Sequence, residues 1–209
     1  MILYSYWRST TSLRVRAALN LKGLAYKIRS VNLLDGAQRA PAYVALNPAC
    51  GVPTLVLDDG AVLTQSMAIL DWLEETHPEP ALLPRDPLAR ARVRAAAQVI
   101  ASEVHPVNNL KVGAALKARG VDQAGWVDWM CHWMGQGFAA YAQLIDGEGR
   151  YSFGDALSQA DLCLVGQMVN ARRWGLDMTG LNRLTEIDAA AREIPAIAQA
   201  LPENQPDAN

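Results

Sequence analysis

The sequence predicts a small α/β domain built on one mixed sheet, followed by an all-helical domain. Three observations carry this prediction. Short extended runs alternate with helical patterns up to about Pro80. Pro78, Pro80, Pro84 and Pro87 then crowd into one short stretch, which is the composition of a linker. From Ala89 onward the patterns are long, helical and rich in Ala and Arg, with no convincing strand. The expected domains are 1–80 and 88–209, joined by a Pro-rich linker at 81–87.

Each element has its own signal. Ile2 to Tyr6 reads as a strand. Leu13 to Leu21 reads as a helix, apolar at Leu13, Val15, Ala17, Ala18 and Leu21 with Arg14 and Arg16 interleaved, and stopped by Gly23. Tyr26 to Val31 is a second strand. Thr54 to Leu57 and Ala61 to Leu63 flank Asp58-Asp59-Gly60, a hairpin signal. Ser66 to Thr76 is a helix with Ile69, Leu70 and Leu73 on its core face, ended by His77-Pro78. In the second half the expected helices are 88–118, 123–145, 158–173 and 184–200, with Pro202 to Asn209 as a polar tail. The Trp126, Trp129, Trp133, Met130 and Met134 stripe sits at helical spacing and reads as core.

Composition excludes several classes of function. The chain has 209 residues and is 51% hydrophobic, enough for a packed core. Its 19 basic and 21 acidic residues give no basic footprint for nucleic acid. No apolar run is long enough to span a bilayer, and Met1 to Thr10 does not read as a secretory signal. Cys50, Cys131 and Cys163 have no metal-ligand spacing and cannot form a complete disulfide set. The expectation is a cytoplasmic protein with no bound metal.

Three short segments carry chemistry. Trp7-Arg8-Ser9-Thr10-Thr11-Ser12 puts several hydroxyls where a helix begins and its N–H groups are unpaired. One hydroxyl there suffices as a cap; the others can donate to a bound anion such as a thiolate. Pro53 opens a strand, so Val52-Pro53 is expected at a sheet edge or in a cis turn, with the Val52 backbone open to an extended peptide. Ser66 is a helix cap or a socket for a carboxylate. A thiolate donor, an open backbone edge and a carboxylate socket match the parts of glutathione. By contrast, Ser158-Gln159-Ala160-Asp161 is a capping box and purely structural.

With these segments the chain resembles the zeta class of glutathione transferases, the maleylacetoacetate and maleylpyruvate isomerases. The run Tyr4 to Arg16 carries most of the resemblance, with Asn47-Pro48, Val52-Pro53-Thr54, Gln65-Ser66, His105-Pro106-Val107-Asn108-Asn109, Tyr151 to Asp155, Asn170 to Arg173 and Gln205-Pro206-Asp207. The resemblance implies a thioredoxin-like N-terminal domain, a helical bundle and a homodimer. It implies glutathione as cofactor and a small dicarboxylate as substrate. Ser9, Thr10, Thr11 and Arg8 then correspond to the catalytic turn. Gln38, Val52, Gln65, Ser66, His105 and Asn109 correspond, with Ser9 and Thr11, to the glutathione contacts. Arg8, His105, Asn108, Asn109, Lys111 and Arg173 correspond to the acidic-substrate contacts, with Arg8 and Arg173 as carboxylate clamps. Thr11 stands where many zeta enzymes have cysteine, and Lys111 where some maleylpyruvate isomerases have arginine. The implied activity is cis–trans isomerisation of maleylacetoacetate in tyrosine and phenylalanine breakdown. Maleylpyruvate isomerisation, conjugation or dehalogenation of small electrophilic acids, and ligand binding without turnover are the alternatives.

Overall fold

A computed structural model describes residues 1–208. The chain divides into two compact units: Met1–Leu82 together with the segment from Arg192 on, and Leu83–Ala191. The C-terminal segment, read from the sequence as the end of the helical domain, therefore packs with the first unit.

The first unit holds a four-stranded sheet of β1 (Ile2–Ser5), β2 (Lys27–Ser30), β3 (Thr54–Val56) and β4 (Val62–Thr64) in the order β2-β1-β3-β4. β1 pairs parallel with β2, and β3 pairs antiparallel with both β1 and β4, so the sheet is mixed as expected. The helices are α1 (Thr10–Leu21), the short α2 (Pro41–Val44) and α3 (Ser66–Thr76). Ile69, Leu70 and Leu73 of α3 are fully buried, as their spacing predicted. α1 starts three residues earlier than its apolar pattern suggests, because Ser9 caps it by accepting from Ser12 N–H.

Two arginines depart from a simple periodic reading. Arg14 and Arg16 lie in the core at 1% and 0% exposure. Arg16 makes five hydrogen bonds, two to the Ala200 carbonyl and the others to Ser5 Oγ and the Tyr6 and Trp7 carbonyls. Burial lowers its pKa to about 10, partly offset by Tyr26 and Asp207. These bonds explain why the C-terminal residues are no free tail. Asp207 accepts from Trp7 N–H and Ser30 Oγ, and Gln205 donates to the Gln199 and Leu201 carbonyls. The Pro-rich stretch is pinned at its start in the same way. The Lys22 ammonium bonds Glu74 and the His77 and Pro80 carbonyls, while Glu74 accepts from Leu82 N–H.

The second unit is helical: α4 (Pro87–Gln98), a π-helical turn Val99–Val104, α5 (His105–Val107), α6 (Leu110–Lys117), α7 (Gln123–Leu144) and α8 (Gln159–Trp174). α9 (Asn182–Arg192) runs to the boundary, and α10 (Pro195–Ala198) lies beyond it. Two expected helices are corrected here. The single helix 88–118 is broken at Asn108-Asn109, where Asn109 turns to an extended backbone and caps α6 by accepting from Lys111 N–H. The helix 184–200 is interrupted before Pro195, which has no N–H to give and disfavours a helical residue before it. The aromatic stripe of α7 is corrected too. Met130 and Met134 are core, but Trp126, Trp129 and Trp133 are only half-buried. The capping box holds: Asp161 accepts from the Ser158 backbone N–H and hydroxyl and from Ser152 N–H.

Candidate functional site

The hydroxyl turn lies where β1 hands over to α1. Ser9 Oγ accepts from Ser12 N–H at 3.1 Å and sits 2.8 Å from Thr11 Oγ1. Thr11 Oγ1 in turn donates to the Val52 carbonyl at 2.8 Å. Ser9 and Thr11 are half-buried, whereas Thr10 is buried at 3% exposure. The turn between them is thus joined by hydrogen bonds to a loop some forty residues on.

That loop is held from behind. Asn47 is buried and donates to the Gly51 carbonyl and Thr54 Oγ1. Tyr43 adds contacts from its hydroxyl to the same two groups. Burial raises the Tyr43 pKa, so the phenol stays protonated as the loop's donor. The Val52–Pro53 peptide is cis, one of the two expected arrangements. The other is corrected: β3 lies between β1 and β4, and pairing begins at Thr54, so Pro53 blocks no ladder bond. The Val52 carbonyl is taken by Thr11, while its N–H makes no hydrogen bond to described residues.

Gln65 and Ser66 open α3. Gln65 is exposed with φ 66° and ψ 117°, a backbone that a non-glycine residue adopts at a cost of roughly 1–3 kcal/mol. Ser66 is buried at 6% exposure, and its hydroxyl lies 3.5 Å from Arg14 Nη1. Gln38 is half-buried: its amide donates weakly to the Leu33 carbonyl, and its Oε1 has no partner. Arg8 stacks over the Trp7 ring at 5.5 Å.

In the second unit, His105, Asn108, Asn109 and Lys111 cluster at the break between α5 and α6. His105 and Asn109 are half-buried and Lys111 is exposed. Asn108 donates to the Met130 carbonyl and its buried Oδ1 has no partner. Trp129 ties the same break to α7 by donating to the Val107 carbonyl at 2.9 Å. Arg173 is exposed in the last turn of α8. Its neighbour Arg172 forms an ion pair with the buried Asp188 and so has a structural role. Among the described residues no cluster of metal-ligating side chains occurs, and no helix is long and apolar enough to cross a membrane.

Residues 8–76 match the model of the glutathione S-transferase N-terminal domain. The chain is 46% identical to a maleylacetoacetate isomerase of Pseudomonas aeruginosa, over 99% of this chain and 98% of that protein. It is 45% identical to a maleylpyruvate isomerase of a Ralstonia species, over 99% of both chains. The holo structure of a bacterial zeta-class maleylpyruvate isomerase superposes with a TM-score of 0.97 at 44% identity, covering 100% of both chains. The chain belongs to the zeta class of glutathione transferases. A maleylacetoacetate isomerase from Methylobacterium extorquens, solved with malonate and glutathione bound, superposes with a TM-score of 0.96 at 38% identity, again over 100% of both chains.

Some residues that shape this zeta-class site escape a reading by motif. Tyr43 and Asn47 support the Val52 loop from behind, and only the Asn47-Pro48 pair hinted at a turn there. Arg14 sits beneath Ser66, where the sequence offered one faint signal: a cation inside an apolar helix pattern.

Proposed function

We infer that this chain is a glutathione-dependent isomerase that converts maleylacetoacetate to its trans isomer, fumarylacetoacetate, in tyrosine and phenylalanine breakdown. The observation that carries the reading is the Ser9–Thr11–Val52 hydrogen-bond chain at the start of α1. The residues present fit glutathione. The unbonded Val52 N–H suits its extended backbone, and the α3 N-terminus with Ser66 suits a carboxylate. Gln38 Oε1 and Gln65 offer further polar contacts. When bound, glutathione supplies a thiolate that adds reversibly to the cis double bond and so lets it rotate.

The protons of the turn can be followed one by one. Thr11 gives its single hydroxyl proton to the Val52 carbonyl, so the Ser9–Thr11 contact leaves Ser9 as donor. Ser9 meanwhile accepts from Ser12 N–H. Ser9 is therefore the hydroxyl free to swing its proton toward an anion, and the positive end of α1 adds to that donor. A donor so placed stabilises a thiolate and lowers the pKa of its thiol. Thr10, buried in the same turn, shapes it rather than faces it. Arg8 and Arg173 are proposed as the carboxylate clamps of the acidic substrate. His105, Asn108, Asn109 and Lys111 are proposed to orient it and to stabilise charge developing on its oxygens. The three free cysteines suit a reducing cytoplasm, and a homodimer is proposed by analogy with the superfamily.

Purified protein is to be incubated with maleylacetoacetate or maleylpyruvate, with and without glutathione, while the trans product is followed. Turnover that requires glutathione is expected, and Ser9→Ala is expected to lower kcat by about 100-fold. No turnover of either substrate, or an equal rate without glutathione, would overturn the reading. Maleylpyruvate is the second reading, favoured by the near-equal identity to the Ralstonia enzyme. The ratio of the two kcat/KM values decides between them.

A further inference from the structure

Arg14 is the least explained charge in the first unit. It projects from α1, is 1% exposed, and forms no ion pair with any described residue. Its Nε and Nη2 are buried without a hydrogen-bond partner. Only Nη1 has contacts, at 3.5 Å to Ser66 Oγ and 3.6 Å to Met67 Sδ, both in the first turn of α3. A buried guanidinium with two idle nitrogens, three N–H donors in all, is costly, since burial disfavours charge that is not compensated. Arg16, two residues on, shows the contrast: all three of its nitrogens are bonded. Arg16 is explained by the fold, and Arg14 is not.

We propose that Arg14 is a positioning residue for the γ-glutamyl end of glutathione, acting through Ser66. The proposal rests on the glutathione reading above. A serine hydroxyl has one proton and two lone pairs. With Arg14 Nη1 donating to Ser66 Oγ, the hydroxyl proton is directed away from Arg14 and is free for an incoming carboxylate. The guanidinium also places a whole positive charge behind the α3 N-terminus, where the helix dipole already favours an anion. Screening by water is weak at this depth, so the charge acts more strongly than it would on the surface. The carboxylate in question is the α-carboxylate of the γ-glutamyl residue, remote from the thiol. Arg14 thus contributes to recognition of the tripeptide and not to the chemistry at sulfur.

The test compares glutathione with its decarboxylated analogue, 4-aminobutanoyl-cysteinylglycine, which keeps the amine, the thiol and the glycine end. Dissociation constants for both are measured by titration calorimetry with the unaltered protein, Arg14→Lys and Arg14→Met. The unaltered protein is expected to prefer glutathione. R14M is expected to cut that preference about tenfold or more, and R14K to keep most of it. R14M weakening both thiols equally shows a merely structural residue and overturns the proposal. A protein that binds both thiols equally well before mutation overturns it too, while leaving the glutathione reading intact. Failure to bind either thiol sinks that reading and this one with it. Should R14M not fold, the Arg14 Nε–H resonance of the unaltered protein, assigned by its loss in R14K, decides the matter. It is expected to move with glutathione and stay still with the analogue, and an equal response to both overturns the proposal.

Discussion

The two hydroxyls of the opening turn divide their labour according to where their protons go. Thr11 spends its proton on the Val52 carbonyl and so fixes the loop, whereas Ser9 keeps a proton that can be redirected. Different defects follow from removing each. Thr11→Val keeps the volume but strands the Val52 carbonyl, and it is expected to weaken glutathione binding about tenfold, read by calorimetry. Ser9→Ala is expected to spare binding more than rate, and also to cost about 1 kcal/mol of stability as a lost cap, read by urea unfolding. If T11V lowers kcat as much as S9A while binding glutathione normally, the division of roles is wrong. These hydroxyls were legible in the sequence because a helix start with more than one hydroxyl is locally visible. Which of them holds the loop was not, since Val52 lies far along the chain.

Elements of the second unit are shaped by close packing at one crossing. Gly137 of α7 is buried, and a Cβ there would lie 2.0 Å from Val104 Cγ2, in the π-helical turn that leads into His105. Gly137→Ala is therefore expected to cost about 2–3 kcal/mol in urea unfolding, because the stiff β-branched Val104 side chain must leave its place in the core. Asp161 is fully buried and collects three hydrogen bonds from Ser152 and Ser158. Asp161→Ala strands those donors and is expected to cost about 3 kcal/mol or more, again by urea unfolding. A loss under 1 kcal/mol would show that the box is dispensable. The capping box was readable because its partners sit three residues apart. The break at Asn108-Asn109 lay within a stretch whose two ends are rich in Ala and strong helix formers, and its local signs, Pro106 and the paired asparagines, were outweighed by them.

Across the whole molecule, stability is expected to fall at alkaline pH. Tyr141 is fully buried, and burial raises its pKa well above 10, with Asp161 adding to the effect. Tyr26 and Tyr43 are raised in the same direction. Above the unfolded tyrosine pKa of about 10 the unfolded chain sheds these protons while the folded chain retains them. Stability is thus fully present below that pH and declines as pH rises through it. Urea midpoints at pH 8 and pH 10.5 should show the fall, and Tyr141→Phe should show a smaller one despite losing its bond to Ser152. An equal fall in Y141F would remove Tyr141 as a cause.

Local chemistry alone determined the strands, the hairpin, the bounds of α3, the capping box and the hydroxyl turn. Each rests on residues a few positions apart, whose turn, cap or alternation signals act within one element. Tertiary structure decided what distant groups share. It buried Arg16 against the Ala200 carbonyl, joined Asp207 to Trp7 and Ser30, and brought Arg14 beneath Ser66. A cation in an apolar helix reads as a surface residue until its acceptors are known. Those acceptors lie up to 184 residues away, where no periodicity within the helix can reach them.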